Sequence, residues 1–173
     1  MIIVLIGYMA SGKTSIGKRL AAQLDYTFVD LDDLIEKREN ASVTEVFKKS
    51  GEIYFRKQET LYLNEVLSRK ENMILSLGGG APCYSNNMSD ILNAKNVKSI
   101  YLKASIATLT EKLMRKKAKR PLIAHIETEE AMAEFIGKHL FERAPYYSQA
   151  EITVSIDNKT KDEIVQEVIA ELF

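Results

Sequence analysis

Apolar positions along the chain alternate between short continuous runs and longer stretches with helical spacing. Ile2–Ile6 is entirely aliphatic and reads as a buried strand. Ile16, Leu20, Ala21 and Leu24 then fall on one side of a helix over Thr14–Leu24. The strand signature returns at Thr27–Leu31, Asn72–Leu77, Val97–Leu102 and Ile152–Ile156. Between these runs the pattern predicts helices from Asp33, from Ser42, over Glu52–Arg69, over Ser105–Lys117, over Thr128–Arg143 and from Thr160 to the end. Ser42 and Glu45 form a capping box, and Thr160 with Glu163 starts the last helix in the same way. Gly51 interrupts one helical stretch, and Pro145 is expected to stop another. Ile106, Leu109 and Leu113 predict the inward side of the helix that follows the fourth strand.

Continuously apolar strands separated by helices imply a parallel sheet covered on both faces. The expected fold is therefore α/β, three-layered, with five parallel strands, in one domain over residues 1–173. Ligands of such sheets bind beyond the carboxyl ends of the strands. Chemistry-bearing residues should sit just after each strand.

Composition narrows the partners. Lys+Arg and Asp+Glu number 24 each, so the formal net charge is zero. Nothing global argues for nucleic acid or an anionic membrane, and any basic function must come from local placement. The single cysteine, Cys83, fits a reducing compartment and reads as a small packing residue. The opening apolar run is too short to span a bilayer and lacks a basic leader. A cytoplasmic location is expected. His125 and His139 show no metal-ligand spacing, and Tyr62 and Phe135 fit core positions.

The first strand leads into Gly7-Tyr8-Met9-Ala10-Ser11-Gly12-Lys13-Thr14, a complete G-x-x-x-x-G-K-[ST] between strand and helix. The glycines let the backbone turn several N–H groups toward one point, and the helix N-terminus adds partial positive charge. Lys13 can reach the β- and γ-phosphates, and Thr14 offers a hydroxyl to Mg²⁺. Gly7, Met9, Ala10, Ser11, Gly12, Lys13, Thr14 and Ser15 are the candidate nucleotide-binding residues. The motif alone does not separate a kinase from a GTPase or a motor.

Four further features fall near predicted strand ends. Asp30-Leu31-Asp32-Asp33 offers carboxylates for Mg²⁺ and for an acceptor hydroxyl, or equally caps for the next helix. Arg56 with Glu59 is either an oriented guanidinium for a carboxylate ligand or a surface ion pair. Gly78-Gly79-Gly80 permits close backbone approach to a ligand, or forms a flexible exit. The basic run from Arg115 to Arg120, with Arg143 further on, suits a lid over phosphates, a solvated face or a nucleic-acid patch. Phe47 and Phe55 are candidates to line an acceptor pocket.

The ordered set GYMASGKT, DLD, FRKQE, SLGGG, KRPL and RAPYY resembles the shikimate kinase family over nearly the whole chain. The resemblance implies a P-loop kinase fold with a mobile lid at about 112–126 and an acceptor region at about 32–61. It implies transfer of the ATP γ-phosphoryl to the 3-hydroxyl of shikimate, on the route to chorismate and the aromatic amino acids. By this resemblance Lys13, Asp32 and Arg120 are catalytic, with Asp32 as base and Arg120 as the lid arginine. Thr14 and Asp30 would serve Mg²⁺. Arg56 and Arg143 would bind the shikimate carboxylate, with Gly78, Gly79 and Gly80 as backbone wall. Arg115 and Asn158 are the candidates beside adenine. A monomer is implied, with ATP and shikimate as partners and no nucleic acid or membrane. The chain departs at Ala10, where glycine is frequent, and at Thr14, where serine is common. A gluconate kinase would lack the paired arginines and triple glycine, and a purely regulatory nucleotide binder would need neither Asp32 nor the arginines.

Overall fold

A computed structural model describes residues 1–173. Five parallel strands form one sheet: β1 (Ile2–Ile6), β2 (Thr27–Asp30), β3 (Met73–Ser76), β4 (Val97–Lys103) and β5 (Ile152–Ser155). Their order is β2-β3-β1-β4-β5. Every residue of β1 is buried, as its position between two neighbours and two helical layers requires. Ile2 pairs with Met73 on one side and with Val97 on the other.

The helices are α1 (Lys13–Leu24), α2 (Leu31–Glu39), α3 (Val43–Leu67), α4 (Asn87–Asn93), α5 (Ile106–Lys116), α6 (Glu129–Tyr147) and α7 (Lys161–Leu172). α1 packs on β2 and β3 and beside α7, α2 pairs with α3, and α5 pairs with α6. Forty buried apolar residues form one contiguous cluster between the layers. After β1 the chain turns to β2 on one side, and after β3 it crosses to β4 on the other. The exits of the adjacent strands β1 and β3 therefore diverge and open a crevice between them.

The capping boxes at Ser42 and Thr160 are present as expected. Gly51 sits at φ 83°, ψ 172° and bends α3 at the expected point. Other boundaries move. β2 ends at Asp30 rather than Leu31, because Asp30 caps α2 directly and no connecting residue intervenes. α6 runs to Tyr147, past Pro145. The N–H that Pro145 lacks would have gone to the Phe141 carbonyl, and Phe141 and Pro145 both lie on the exposed side of the helix. Leu109 and Leu113 are fully buried, whereas Ile106 at the start of α5 is 41% exposed and leans toward Gly137 of α6. The 3₁₀ turn Ala81–Cys83 and α4 were not expected, since their three- and seven-residue lengths leave little periodicity to read.

Candidate active site

The sheet's first exit builds the phosphate loop. Ala10 and Gly12 take positive φ, 64° and 93°, and Gly12 caps α1 without any side-chain hydrogen bond. Five of the other helices have a side-chain oxygen at the N-cap. The first-turn N–H groups of α1 thus have no capping side chain and face the crevice. Ser11 is fully buried beneath the loop, and a Cβ on Gly7 would stand 2.6 Å from its Oγ. Gly7 and Ser11 support the loop from below, and Met9, Ala10, Gly12, Lys13, Thr14 and Ser15 line the cleft.

Lys13 is almost fully buried and donates to the carbonyls of Gly7 at 2.7 Å and Tyr8 at 3.0 Å. Burial pulls its pKa down to about 8, against the opposing pull of Asp32 and Asp30. Asp30 splits its carboxylate: Oδ1 accepts from the N–H groups of Asp32 and Asp33, while Oδ2 accepts from the Thr14 hydroxyl at 3.3 Å. The capping role weighed for Asp32 and Asp33 belongs instead to Asp30. Asp32 is free to face the cleft, where burial first, then Asp30 and Glu59, raise its pKa to about 7.

The exit of β3 contributes the three glycines, and each makes room for a different charged side chain. A Cβ at Gly78 would stand 3.1 Å from Asp32 Oδ1, one at Gly79 3.1 Å from Arg143 Nη1, and one at Gly80 2.7 Å from Arg56 Nη2. The same Cβ at Gly79 would lie 3.6 Å from the Met9 nitrogen of the phosphate loop. The glycine run is therefore a shared wall between the loop and three predicted acceptor-binding groups. Tyr147 donates its hydroxyl to the Gly79 carbonyl at 2.5 Å and fixes the wall from behind.

Arg56 Nη1 bonds Glu59 Oε1 at 2.7 Å, and Glu59 is only 1% exposed. Burial raises the Glu59 pKa although Arg56 draws it down. The surface-pair alternative for these two residues is thereby removed. Phe47 and Phe55 stack with centroids 4.6 Å apart, and the Phe55 ring lies 5.3 Å from the Arg56 guanidinium. Arg143 forms no salt bridge and sits 5.8 Å above the Tyr8 ring.

The cleft over the loop holds about 480 Å³ and collects Lys13, Lys18, Lys112, Lys116, Arg120 and Lys161 around Asp30 and Asp32. A chain of zero net charge has concentrated cations where phosphates would lie. Lys116 belongs to the basic run singled out in the sequence. Lys112 was missed, although its i, i+4 spacing to Lys116 on one helix face was readable; Lys18 and Lys161 carried no such signal. Arg115 points elsewhere: it pairs with Glu111 on the exposed side of α5 and does not line the cleft. Asn158 is exposed at φ 55° and likewise lies outside the lining. Arg120 reaches the cleft from a segment anchored by buried Ile123 and Ile126, with Lys117 Nζ on the Ile126 carbonyl at 2.7 Å. A larger hollow of about 670 Å³ lies at the other end of the sheet around Met1 and Asn96, away from every loop described above.

Residues 9–173 match the family model described as shikimate kinase. A shikimate kinase from Flavobacterium johnsoniae is 50% identical over 167 residues, 96% of each chain. The crystal structure of shikimate kinase from Bacteroides thetaiotaomicron superimposes with TM-score 0.90 at 35% identity, covering 99% of this chain and 98% of that one. Shikimate kinase from Acinetobacter baumannii in complex with shikimate gives TM-score 0.85 at 30% identity, with 99% and 92% covered. With the phosphate loop, the triple-glycine wall and the two arginines on one crevice, the chain belongs to the shikimate kinase family.

Proposed function

We propose that this chain transfers the γ-phosphoryl group of ATP to the 3-hydroxyl of shikimate, giving shikimate 3-phosphate and ADP. The observation that carries the reading is the glycine wall, which abuts Asp32, Arg143 and Arg56 in turn. Shikimate has one carboxylate and three hydroxyls. Two guanidiniums, a carboxylate and exposed backbone form the complementary set.

In this reading the ATP phosphates lie on the N-terminus of α1, with Lys13 against the β- and γ-oxygens. Arg120, brought over by the segment at about 112–126, adds charge to the transferring group and helps exclude water. Arg56 and Arg143 hold the shikimate carboxylate, within an acceptor region at about 32–61 completed by Phe47 and Phe55. Asp32 accepts the proton of the attacking hydroxyl. A carboxylate raised to about 7 is well matched to that task near neutral pH.

The Thr14 hydroxyl and Asp30 Oδ2, 3.3 Å apart, are hard oxygen donors suited to Mg²⁺. No group of three or more acidic, histidine or cysteine side chains forms a complete metal cage, which fits a cation held largely by phosphate and water. When bound, Mg²⁺ would neutralise charge on the β- and γ-phosphates. No helix is long and apolar enough to cross a membrane. The reading includes a monomer acting in the cytoplasm.

The test is ADP release from MgATP, with and without shikimate, in a coupled assay. Strong dependence on shikimate, with quinate and gluconate near background, is the expected result. Release indifferent to shikimate would leave the nucleotide site standing and remove the roles given to Asp32, Arg56 and Arg143.

A further inference from the structure

Arg56 is held by more partners than Arg143, and one of them, Tyr84, lies outside the motif set. The Tyr84 ring lies over the Arg56 guanidinium at 4.0 Å, the shortest cation–ring distance in the molecule. The Tyr84 hydroxyl donates to Glu52 Oε1 at 2.9 Å, and the same oxygen lies 3.9 Å from Arg56 Nε. Glu52 is one helical turn before Arg56 on α3. Tyr84, Glu52 and Arg56 therefore close a triangle, with Glu59 gripping the guanidinium at Nη1.

The loop that carries Tyr84 is pinned to the same helix. Asn87, fully buried, donates to the Ala81 carbonyl at 2.9 Å and accepts from Thr60 at 2.8 Å. Thr60 is one turn after Arg56. Arg56 and Tyr84 also border a hollow of about 520 Å³ together with Glu52, Ile53, Lys57 and Thr60.

We propose that Tyr84 is a positioning residue for Arg56, keeping the guanidinium turned toward Gly80 and the acceptor carboxylate. This rests on the reading of Arg56 as a carboxylate-binding group. An arginine fixed beforehand loses less freedom when it binds its ligand, so the effect falls on acceptor affinity. The ring supplies it through the π face, and the hydroxyl steadies the ring through Glu52.

The experiment is steady-state kinetics of the intact enzyme for Tyr84→Leu, Tyr84→Phe, Arg56→Ala and the Tyr84→Leu/Arg56→Ala double variant. Tyr84→Leu should raise the shikimate KM roughly 3- to 30-fold, with the ATP KM within about twofold. Tyr84→Phe, which keeps the ring, should recover most of that loss. In the Arg56→Ala background the leucine substitution should add less than about twofold. A shikimate KM unmoved by Tyr84→Leu, an equal rise in both KM values, or the same factor in both backgrounds would overturn the proposal. Arg56→Ala without effect on shikimate would instead overturn the site reading on which it stands. Tyr84→Gln supplies the same comparison if the leucine variant does not fold.

Discussion

The hydroxyl of Tyr8 lies 2.8 Å from Nδ1 of His139. Tyr8 belongs to the phosphate loop, and His139 stands one helical turn before Arg143 on α6. Burial pushes the Tyr8 pKa up to about 12, while burial and the Arg143 charge push His139 down. The tyrosine therefore keeps its proton and shares a hydrogen bond with the His139 ring. Tyr8→Phe should lower stability by about 1 kcal/mol in urea unfolding. A change below about 0.3 kcal/mol would mean that this link contributes nothing.

Gly80→Ala places a methyl group 2.7 Å from Arg56 Nη2. The guanidinium must move. The shikimate KM should rise about 10-fold or more while the ATP KM changes little. Gly51→Ala is the contrast: its Cβ meets nothing within 4 Å, and at φ 83° it should cost stability through backbone strain without altering either KM.

Asp32→Asn should reduce kcat by about 10²–10⁴-fold. It should also change the pH dependence of stability. The folded pKa of about 7 lies above the unfolded value of 3.8, so between them the unfolded chain has shed a proton that the folded chain keeps. Stability from this group is present below the lower value and is lost as pH rises through the upper one. The asparagine variant should therefore melt above wild type near pH 8, with the gap closing toward pH 4. A gap independent of pH would show that Asp32 is not held in its protonated form.

Lys13→Ala removes a buried ammonium that donates to two loop carbonyls. The expected loss in kcat/KM is on the order of 10³-fold. A loss under about 10-fold would count against the phosphate-loop assignment. Because the Lys13 pKa lies near 8, activity should fall on the alkaline side as the ammonium deprotonates.

The order of strands and helices was legible because continuous aliphatic runs and helical spacing are strong, local signals. The phosphate loop was legible for the same reason. What the residues could not reveal was assignment within a cluster. Three aspartates near one strand end all suit capping, and only the backbone angle at Asp30 makes it the cap and frees Asp32. Lys161 arrives at the cleft from the far end of the chain, so no spacing announced it. Tyr84 follows a three-residue turn with no periodicity, and its place over Arg56 depends on Asn87 reaching back to Ala81. Arg115 is a neighbour of Arg120 in the basic run, yet on α5 it pairs with Glu111 outside the phosphate cleft, a difference that sequence proximity does not reveal.

Asp30 joins two jobs in one side chain. Oδ1 anchors the start of α2, and Oδ2 reaches the Thr14 hydroxyl. Asp32 is the second residue of that same helix. A pull on one oxygen is thus transmitted, through a rigid planar carboxylate, to the platform on which the acceptor base stands. The cation side and the acceptor side of the crevice share a hinge three atoms wide, so substitution at position 30 disturbs both partners of the reaction at once.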